Sequence, residues 1–224
     1  MTPILRASTS RSSLGVIALV ALVLVSGLLI VPPDAAQGDV QRLMYVHVPS
    51  AWIAYAAFLV TFIAGVLFVW RGNLRFDRLA AASAELGLLF TGLAIVSGSI
   101  WGRATWGKWW DWDPRLTTTA ILFVVYAAYL LLRQAIRERR RRARLAAVFG
   151  ALGFLNVPIV HFSVLWWRSL HQPPTVLRPG DPAIDHVLLA QLLASVVAFT
   201  VLYAWLLRSR VELEALRDAV VPDR

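Results

Sequence analysis

Four histidines and a cluster of tryptophans are the side chains of this 224-residue chain best suited to bind a metal or a flat aromatic ligand. The chain contains no cysteine, which excludes a disulfide framework, a thiolate haem ligand and a thiolate zinc site. Any metal would therefore bind to His, Asp, Glu or Met. The histidines are His47, His161, His171 and His186.

Two of the histidines lie in segments that restrict where their side chains can point. His47 comes two residues before Pro49, whose ring fixes the backbone, and His171 stands between a pair of tryptophans and a pair of prolines. Imidazole is the commonest protein ligand of haem iron, and two imidazoles on separate segments can bind above and below one porphyrin. His47 and His171 are therefore candidate axial ligands, whereas we expect His161 to satisfy backbone groups freed by Pro158.

Five tryptophans fall within twelve residues between the two candidate ligands. They are Trp101, Trp106, Trp109, Trp110 and Trp112. A thick interfacial belt is one explanation. Large rings on a loop that contains Gly102 and Gly107 also suit a flat, amphipathic ligand, because each ring buries much area with few rotatable bonds. We therefore expect residues 101–115 to form an outward-facing, ligand-binding loop. For Asp113, within this loop, two roles remain possible from the sequence: contact with the ligand, or capping of the helix that Pro114 begins.

The elements that position these residues are membrane-spanning helices. The chain is 58% hydrophobic and 16% charged, and its mean hydropathy is +0.65, which argues against a soluble protein. A bilayer core of about 30 Å needs about 20 apolar residues per helix. Six such runs predict an all-α, polytopic fold that occupies residues 1–224 as a single domain with short loops. The runs are 14–31, 51–70, 79–100, 116–132, 145–167 and 187–207.

The distribution of basic residues predicts the orientation of these helices. Sixteen of the 22 Lys and Arg residues fall in one set of alternate segments and six in the other. Because Lys and Arg resist translocation, we expect both termini to be cytoplasmic and all four histidines to lie on the outward side. The formal net charge of +9 then reflects topology, and the arginine run 137–142 needs no nucleic-acid partner.

The tryptophan-rich segment resembles a known signature. Trp101-Gly102, followed by Trp106-Gly107-Lys108-Trp109-Trp110-Asp111-Trp112-Asp113-Pro114-Arg115, is similar to the "WWD" motif of haem-handling membrane proteins. With Tyr45-Val46-His47-Val48-Pro49 before it and Leu170-His171-Gln172 after it, the chain resembles the cytochrome c maturation protein C (CcmC) family over nearly its whole length.

The resemblance implies a function and a set of partners. Members hold haem b as cargo at the outer face of the cytoplasmic (inner) membrane and deliver it to the haem chaperone CcmE for the biogenesis of c-type cytochromes. They act with the ABC-type subunits CcmA and CcmB and the small protein CcmD. His47 and His171 match the family's axial ligands, and Trp101, Trp106, Trp109, Trp110, Trp112, Asp113 and Arg115 match its haem platform. The protein would then be a delivery component and not an enzyme.

Two other classes remain open from the sequence. A haem lyase or cytochrome c synthetase, which acts directly on apocytochrome, also carries a WWD motif but is generally larger. A channel or secondary transporter would be indicated by charged groups at the bilayer midplane. Glu85 is the one carboxylate inside the six runs, and we expect it to pair with an arginine and not to form a proton relay.

Overall fold

The computed structural model describes residues 11–176 and 178–220, and these residues fold into seven α-helices. The helices are α1 (Arg11–Val25), α2 (Met44–Arg71), α3 (Leu74–Trp106), α4 (Pro114–Ala135), α5 (Arg139–Phe154), α6 (Asn156–Trp166) and α7 (His186–Val220). A π-helical turn, Ser26–Ile30, extends α1, and a 3-10 turn, Asp39–Leu43, leads into α2. Residues 11–176 and 178–220 contain no β-strand. Arg6 and Arg224, two of the sixteen basic residues that predict the orientation, lie outside the described residues.

Six helical segments are long and apolar enough to cross a membrane, which confirms the predicted all-α polytopic fold. They are Ser12–Ile30, Asp39–Arg71, Leu74–Trp106, Pro114–Ala135, Arg139–Trp166 and His186–Arg217. The fifth segment consists of α5 and α6, which are separated at Leu155. The break lies three residues before Pro158, which lacks a backbone N–H and clashes with the preceding turn of a helix. Asn156, the first residue of α6, donates from Nδ2 to the carbonyl oxygen of Thr118 on α4 at 2.8 Å.

Helix α3 extends well beyond the apolar run that predicted it. Its 33 residues span about 50 Å at about 1.5 Å per residue, and they include Trp101 and Trp106. The helix ends there because Gly107, with φ of +74°, adopts the left-handed conformation of a helix C-cap. The connection to α4 is therefore 107–113, shorter than the loop 101–115 that the sequence led us to expect, and two of the five tryptophans are helical.

The helices pack around an aromatic core near the middle of the bundle. Phe58 of α2 stacks on Tyr126 of α4 with ring centroids 3.6 Å apart, and Tyr126 also donates to the carbonyl oxygen of Gly150 on α5 at 3.2 Å. Both rings are fully buried. This core separates two ends of the bundle. We call the end that holds His47, Trp101 and His171 the histidine end, and the opposite end the arginine end.

Ion pairs join the helices at the arginine end. Arg133 of α4 donates from both terminal nitrogens to the two carboxylate oxygens of Asp77 on α3, at 2.5 and 3.0 Å. Such two-point pairs fix geometry as well as charge. Glu85 of α3 forms an ion pair with Arg210 of α7. Glu85 thus has the arginine partner that the sequence led us to expect, although Arg210 belongs to a helix that continues past the apolar run.

Candidate functional site

Two adjoining cavities at the histidine end share the candidate residues. The larger has a volume of about 250 Å³ and the smaller about 120 Å³. Both are lined by His47, Ala51, Tyr55, Trp101, Arg115, His171 and Gln172. The larger also extends between α3 and α4, and the smaller toward His161 and α7. The fold therefore brings the two candidate axial ligands, which are 124 positions apart in the sequence, to one place.

His47 projects from the first turns of α2 onto α3. Its Nδ1 atom lies 2.9 Å from the backbone carbonyl oxygen of Ala94. A carbonyl oxygen only accepts, so Nδ1 carries the proton and Nε2 keeps an unshared electron pair. Gly98 makes this approach possible, because a Cβ atom there would lie 2.7 Å from Cε1 of His47. Backbone contacts thereby orient the imidazole and leave Nε2 available to a metal.

His171 is held in a comparable state by the segment after α6. Its Nδ1 atom lies 3.0 Å from the carbonyl oxygen of Gln172 and 3.4 Å from Nη1 of Arg115. A guanidinium only donates, so the two contacts require opposite tautomers, and the shorter one to Gln172 assigns the proton to Nδ1. Burial lowers the pKa of His171 below its ordinary value, and the charge of Arg115 lowers that pKa further. The imidazole is therefore neutral at physiological pH with Nε2 unprotonated.

Each imidazole has one tryptophan of α3 against its edge. Trp101 meets His47 with ring centroids 5.8 Å apart and planes at 82°, and Trp106 meets His171 at 6.2 Å and 62°. Such edge-to-face contacts are favourable and restrict ring rotation. The last turns of α3 thus position both candidate ligands from one rigid element.

The remaining tryptophans of the cluster divide between the cavity and the surface. Trp110 lines the larger cavity and meets the ring of Trp112 at 5.8 Å and 85°. Trp109 is 61% exposed and Trp112 is 78% exposed, and neither is among the residues described as lining either cavity. The structure brings Trp101, Trp106 and Trp110 to the two candidate ligands and leaves the other two rings on the outer edge of the connection.

Asp113 is buried and uses its two carboxylate oxygens on two different segments. Oδ1 accepts from the backbone N–H of Arg115 at 2.9 Å and caps α4, as the Asp-Pro pair predicts. Oδ2 accepts from the backbone N–H of Leu170 at 2.7 Å, one residue before His171. Asp113 is not among the described residues that line the cavities, so the structure gives it the role of joining the tryptophan segment to the His171 segment.

Arg115 is the one Lys or Arg among the described residues that line the two cavities. Its Nη2 atom donates to the carbonyl oxygen of His161 at 2.7 Å, and its buried Nε atom has no partner within the described part of the chain. The two other basic residues at the end of α3 and in the connection to α4 are engaged elsewhere: Lys108 pairs with Asp111 at 2.6 Å, and Arg103 donates to the carbonyl oxygen of Gly107. Arg115 is therefore the cation available to an anionic group in the cavities.

A comparison with known proteins identifies the family. The family model of heme exporter protein C matches residues 5–222 of this chain. The chain belongs to the heme exporter protein C family. It is 42% identical to the heme exporter protein C of Bradyrhizobium diazoefficiens over 190 residues, 84% of this chain and 72% of that protein. The heme exporter protein C of Haemophilus influenzae is 38% identical over 197 residues, 87% of this chain and 79% of its own.

A relative from another lineage carries a different name. A Marchantia polymorpha protein called "putative cytochrome c biosynthesis ccmC-like mitochondrial protein" is 36% identical over 162 residues, which cover 72% of this chain and 68% of that protein. Membership of the heme exporter protein C family and the six apolar helices establish a multi-pass membrane protein with a haem-handling role in cytochrome c maturation.

Some residues of the site had no signal strong enough to single them out in the sequence. Gln37, Tyr55 and the carbonyl of Ala94 lie in ordinary apolar or turn sequence, and only the fold brings them to the two candidate histidines. Gly98 had a usable signal, since the small residues Ser97, Gly98 and Ser99 end an otherwise bulky apolar run. Small residues in a spanning helix indicate close approach by a neighbouring element.

Proposed function

We propose that this protein binds haem b between His47 and His171 and passes it to a CcmE-type chaperone. The observation that carries the proposal is the state of the two imidazoles. Each is placed by a hydrogen bond from Nδ1 to a backbone carbonyl, each keeps an unshared pair on Nε2, and both line the same two cavities. Histidines that bind metals are typically oriented in this way.

The shape of the site supports a flat ligand. Because both cavities are lined by both imidazoles, a planar molecule with its metal between His47 and His171 would extend into the two cavities at once. Trp101, Trp106 and Trp110 supply aromatic surface to the larger cavity. Iron supplies the bonds to the imidazoles, while the protein orients the ring and shields it from water.

The charge of the site supports a ligand with carboxylate groups. Arg115 lines both cavities and has a buried Nε–H without a partner in the described chain, so a haem propionate would satisfy it. A buried, unpaired donor costs free energy, and this cost is removed when the propionate binds. Among the basic residues near the tryptophan segment, Arg115 is therefore our proposed propionate partner.

The exposed edge of the site supports transfer to another protein. Trp109 and Trp112 are largely exposed beside the cavity that Trp110 lines. We assign them to the outer rim, where they would contact the chaperone that receives the haem. From the distribution of basic residues we expect this end to face the periplasm, on the outer side of the cytoplasmic membrane. CcmA, CcmB and CcmD would be further partners.

The transfer step can be tested with purified components. The haem-loaded protein in detergent is mixed with a CcmE-type apo-chaperone, or with an apocytochrome c alone, and covalent haem is followed by stain on denaturing gels. We expect covalent haem on the chaperone when the remaining exporter subunits and ATP are supplied, and none on the apocytochrome. Covalent haem on the apocytochrome without a chaperone would favour the synthetase class instead. Failure of the purified protein to retain haem at all would contradict the proposed binding.

The tryptophan rim has a separate test. Alanine at both Trp109 and Trp112 should leave the haem content unchanged and slow transfer, whereas alanine at Trp70, an exposed tryptophan at the arginine end, should alter neither. A loss of haem from the rim double variant before any transfer would place these rings in the binding site.

A further inference from the structure

Gln37 lies in a closed turn of the connection between α1 and α2. The carboxylate oxygen Oδ1 of Asp34 accepts from the backbone N–H groups of Ala36 and Gln37 at 2.9 and 2.8 Å. The backbones of Asp34 and Gly38 also pair in both directions, at 2.9 and 3.3 Å. Side-chain-to-backbone bonds of this kind fix a turn locally. The backbone of Gln37 is therefore held in place independently of the rest of the site.

The side chain of Gln37 reaches the cavity and binds a tryptophan there. Its Oε1 atom accepts from Nε1 of Trp101 at 2.8 Å, and Gln37 lines the larger cavity. An indole has a single N–H and no acceptor. This one bond therefore selects the rotation of the Trp101 ring about its side-chain bonds, and the same ring also contacts His47.

Trp101 in turn touches the imidazole of His47. The two rings stand nearly perpendicular, at 82°, with their centroids 5.8 Å apart. The bond from Nδ1 to Ala94 holds one ring atom, while the ring can still tilt about the Cβ–Cγ bond within hydrogen-bonding range. The contact with the Trp101 ring limits this tilt. Two constraints together thus define the plane of the imidazole.

We propose that Gln37 is a positioning residue, which sets the plane of the His47 imidazole through Trp101. This inference rests on the proposed function, in which His47 binds the haem iron. Gln37 would touch the iron ligand only through the indole ring, so its substitution should alter how the haem is held and not whether haem is acquired. It also gives the α1–α2 connection a place in the site, although none of the histidines or the clustered tryptophans belongs to that connection.

Gln37 could also have a purely structural role, which the experiment must separate from positioning of His47. The bond between Gln37 and Trp101 also attaches the α1–α2 connection to the end of α3, and loss of that attachment could lower stability without changing the haem geometry. Thermal stability and haem content report on attachment. The ferric electron paramagnetic resonance spectrum reports on geometry, because the largest g value of a haem with two imidazole ligands depends on the angle between their planes.

The experiment compares three variants with the wild-type haem-loaded protein in detergent. Gln37→Leu removes the acceptor at nearly constant size, and Gln37→Asn keeps the amide but shortens its reach. Gln134→Leu, at an exposed position near the arginine end of α4, makes the same chemical change away from the site. The largest g value and the rate of haem loss to excess apomyoglobin are measured for each.

We expect both Gln37 variants to bind haem, to shift the largest g value and to lose haem about 2- to 10-fold faster, the effect of one neutral hydrogen bond. Gln134→Leu should match the wild type. A double-mutant cycle with Trp101→Phe tests whether Gln37 acts through the indole ring. Gln37→Leu should have no further effect in the Trp101→Phe background, because the effects of coupled residues are not additive.

Two results would overturn the proposal. One is an unchanged g value and haem loss rate in both Gln37 variants while the wild-type protein binds haem normally. The other is an equal effect of Gln37→Leu with and without Trp101, which would show that Gln37 does not act through the indole. Absence of haem from the wild-type protein would instead contradict the proposed function, so the two failures are distinguishable.

Discussion

The Nδ1 atom of His47 lies 2.9 Å from the backbone carbonyl oxygen of Ala94, and the imidazole rests on α3 beside Gly98. This contact assigns the proton of His47 to Nδ1 and leaves Nε2 available to a metal. It also depends on a missing side chain, since a Cβ atom on residue 98 would be 2.7 Å from Cε1 and 3.0 Å from Nδ1 of His47. The packing of α2 on α3 therefore bears directly on ligand binding.

Gly98→Ala should reduce haem retention although it favours the helix. Alanine in place of glycine stabilises a helix interior by about 1 kcal/mol. The added Cβ atom would nonetheless displace the imidazole of His47 from its bond to Ala94. We expect normal yield with haem content at least several-fold below wild type, measured from the Soret absorbance per protein.

The control for this variant lies on the same helix. Gly92→Ala adds a Cβ atom whose nearest neighbour, Cε2 of Phe123, is 3.4 Å away, which is an ordinary contact. Gly92→Ala should retain haem. Equal haem contents in the two variants would mean that the approach of His47 to α3 does not govern binding.

Asp113→Ala should weaken haem binding by releasing the segment that carries His171. The substitution removes the cap of α4, which costs about 1 kcal/mol of stability, and it also removes the acceptor for the N–H of Leu170. We expect faster haem loss and a partly five-coordinate visible spectrum, because His171 loses its fixed position.

Glu138→Ala supplies the matched control for the lost cap. Glu138 caps α5 by accepting from the N–H groups of Arg140 and Arg141, far from the cavities in the sequence and at the arginine end. The cost in stability should be similar, and the haem spectrum should not change. If the two variants gave the same spectrum, the link from Asp113 to Leu170 would have no role in haem binding.

The sequence predicted the six helices because hydrophobic runs of sufficient length have few alternatives in a membrane. It misplaced the start of the tryptophan loop, because Trp101 to Trp106 contain polar and glycine residues that end an apolar run but not a helix. Gly107, with its left-handed backbone, ends the helix instead. The contacts of Gln37 and Ala94 could not be predicted from the sequence, because they depend on how α2 and the connection before it pack against α3 and not on a local pattern.

Arg115→Gln should raise the pKa of His171 in the haem-free protein. The positive charge of Arg115 disfavours the imidazolium, so its removal moves the pKa of His171 upward toward the ordinary value of about 6.5. In the wild type, acidification below about 6.5 favours the unfolded state, which takes up this proton more readily than the folded state. That loss of stability should become smaller in the variant.

The titration of His171 can be followed by NMR of protein with ¹³C-labelled histidine. His171→Gln assigns the signal, and Arg103→Gln, an exposed arginine of α3 that is not among the described cavity residues, serves as the charge control. A pKa of His171 that falls or stays constant in Arg115→Gln would rule out the proposed electrostatic coupling.

The two imidazoles are tested most directly by replacing each one and then supplying it from solution. His47→Gly and His171→Gly are purified with haem, and their visible spectra are recorded before and after addition of imidazole. His186→Gly, at the exposed first residue of α7, is the control. We predict loss of the six-coordinate spectrum in the first two variants, its recovery with imidazole, and no change in the third. Wild-type haem content and an unchanged spectrum in both His47→Gly and His171→Gly would contradict the axial-ligand assignment.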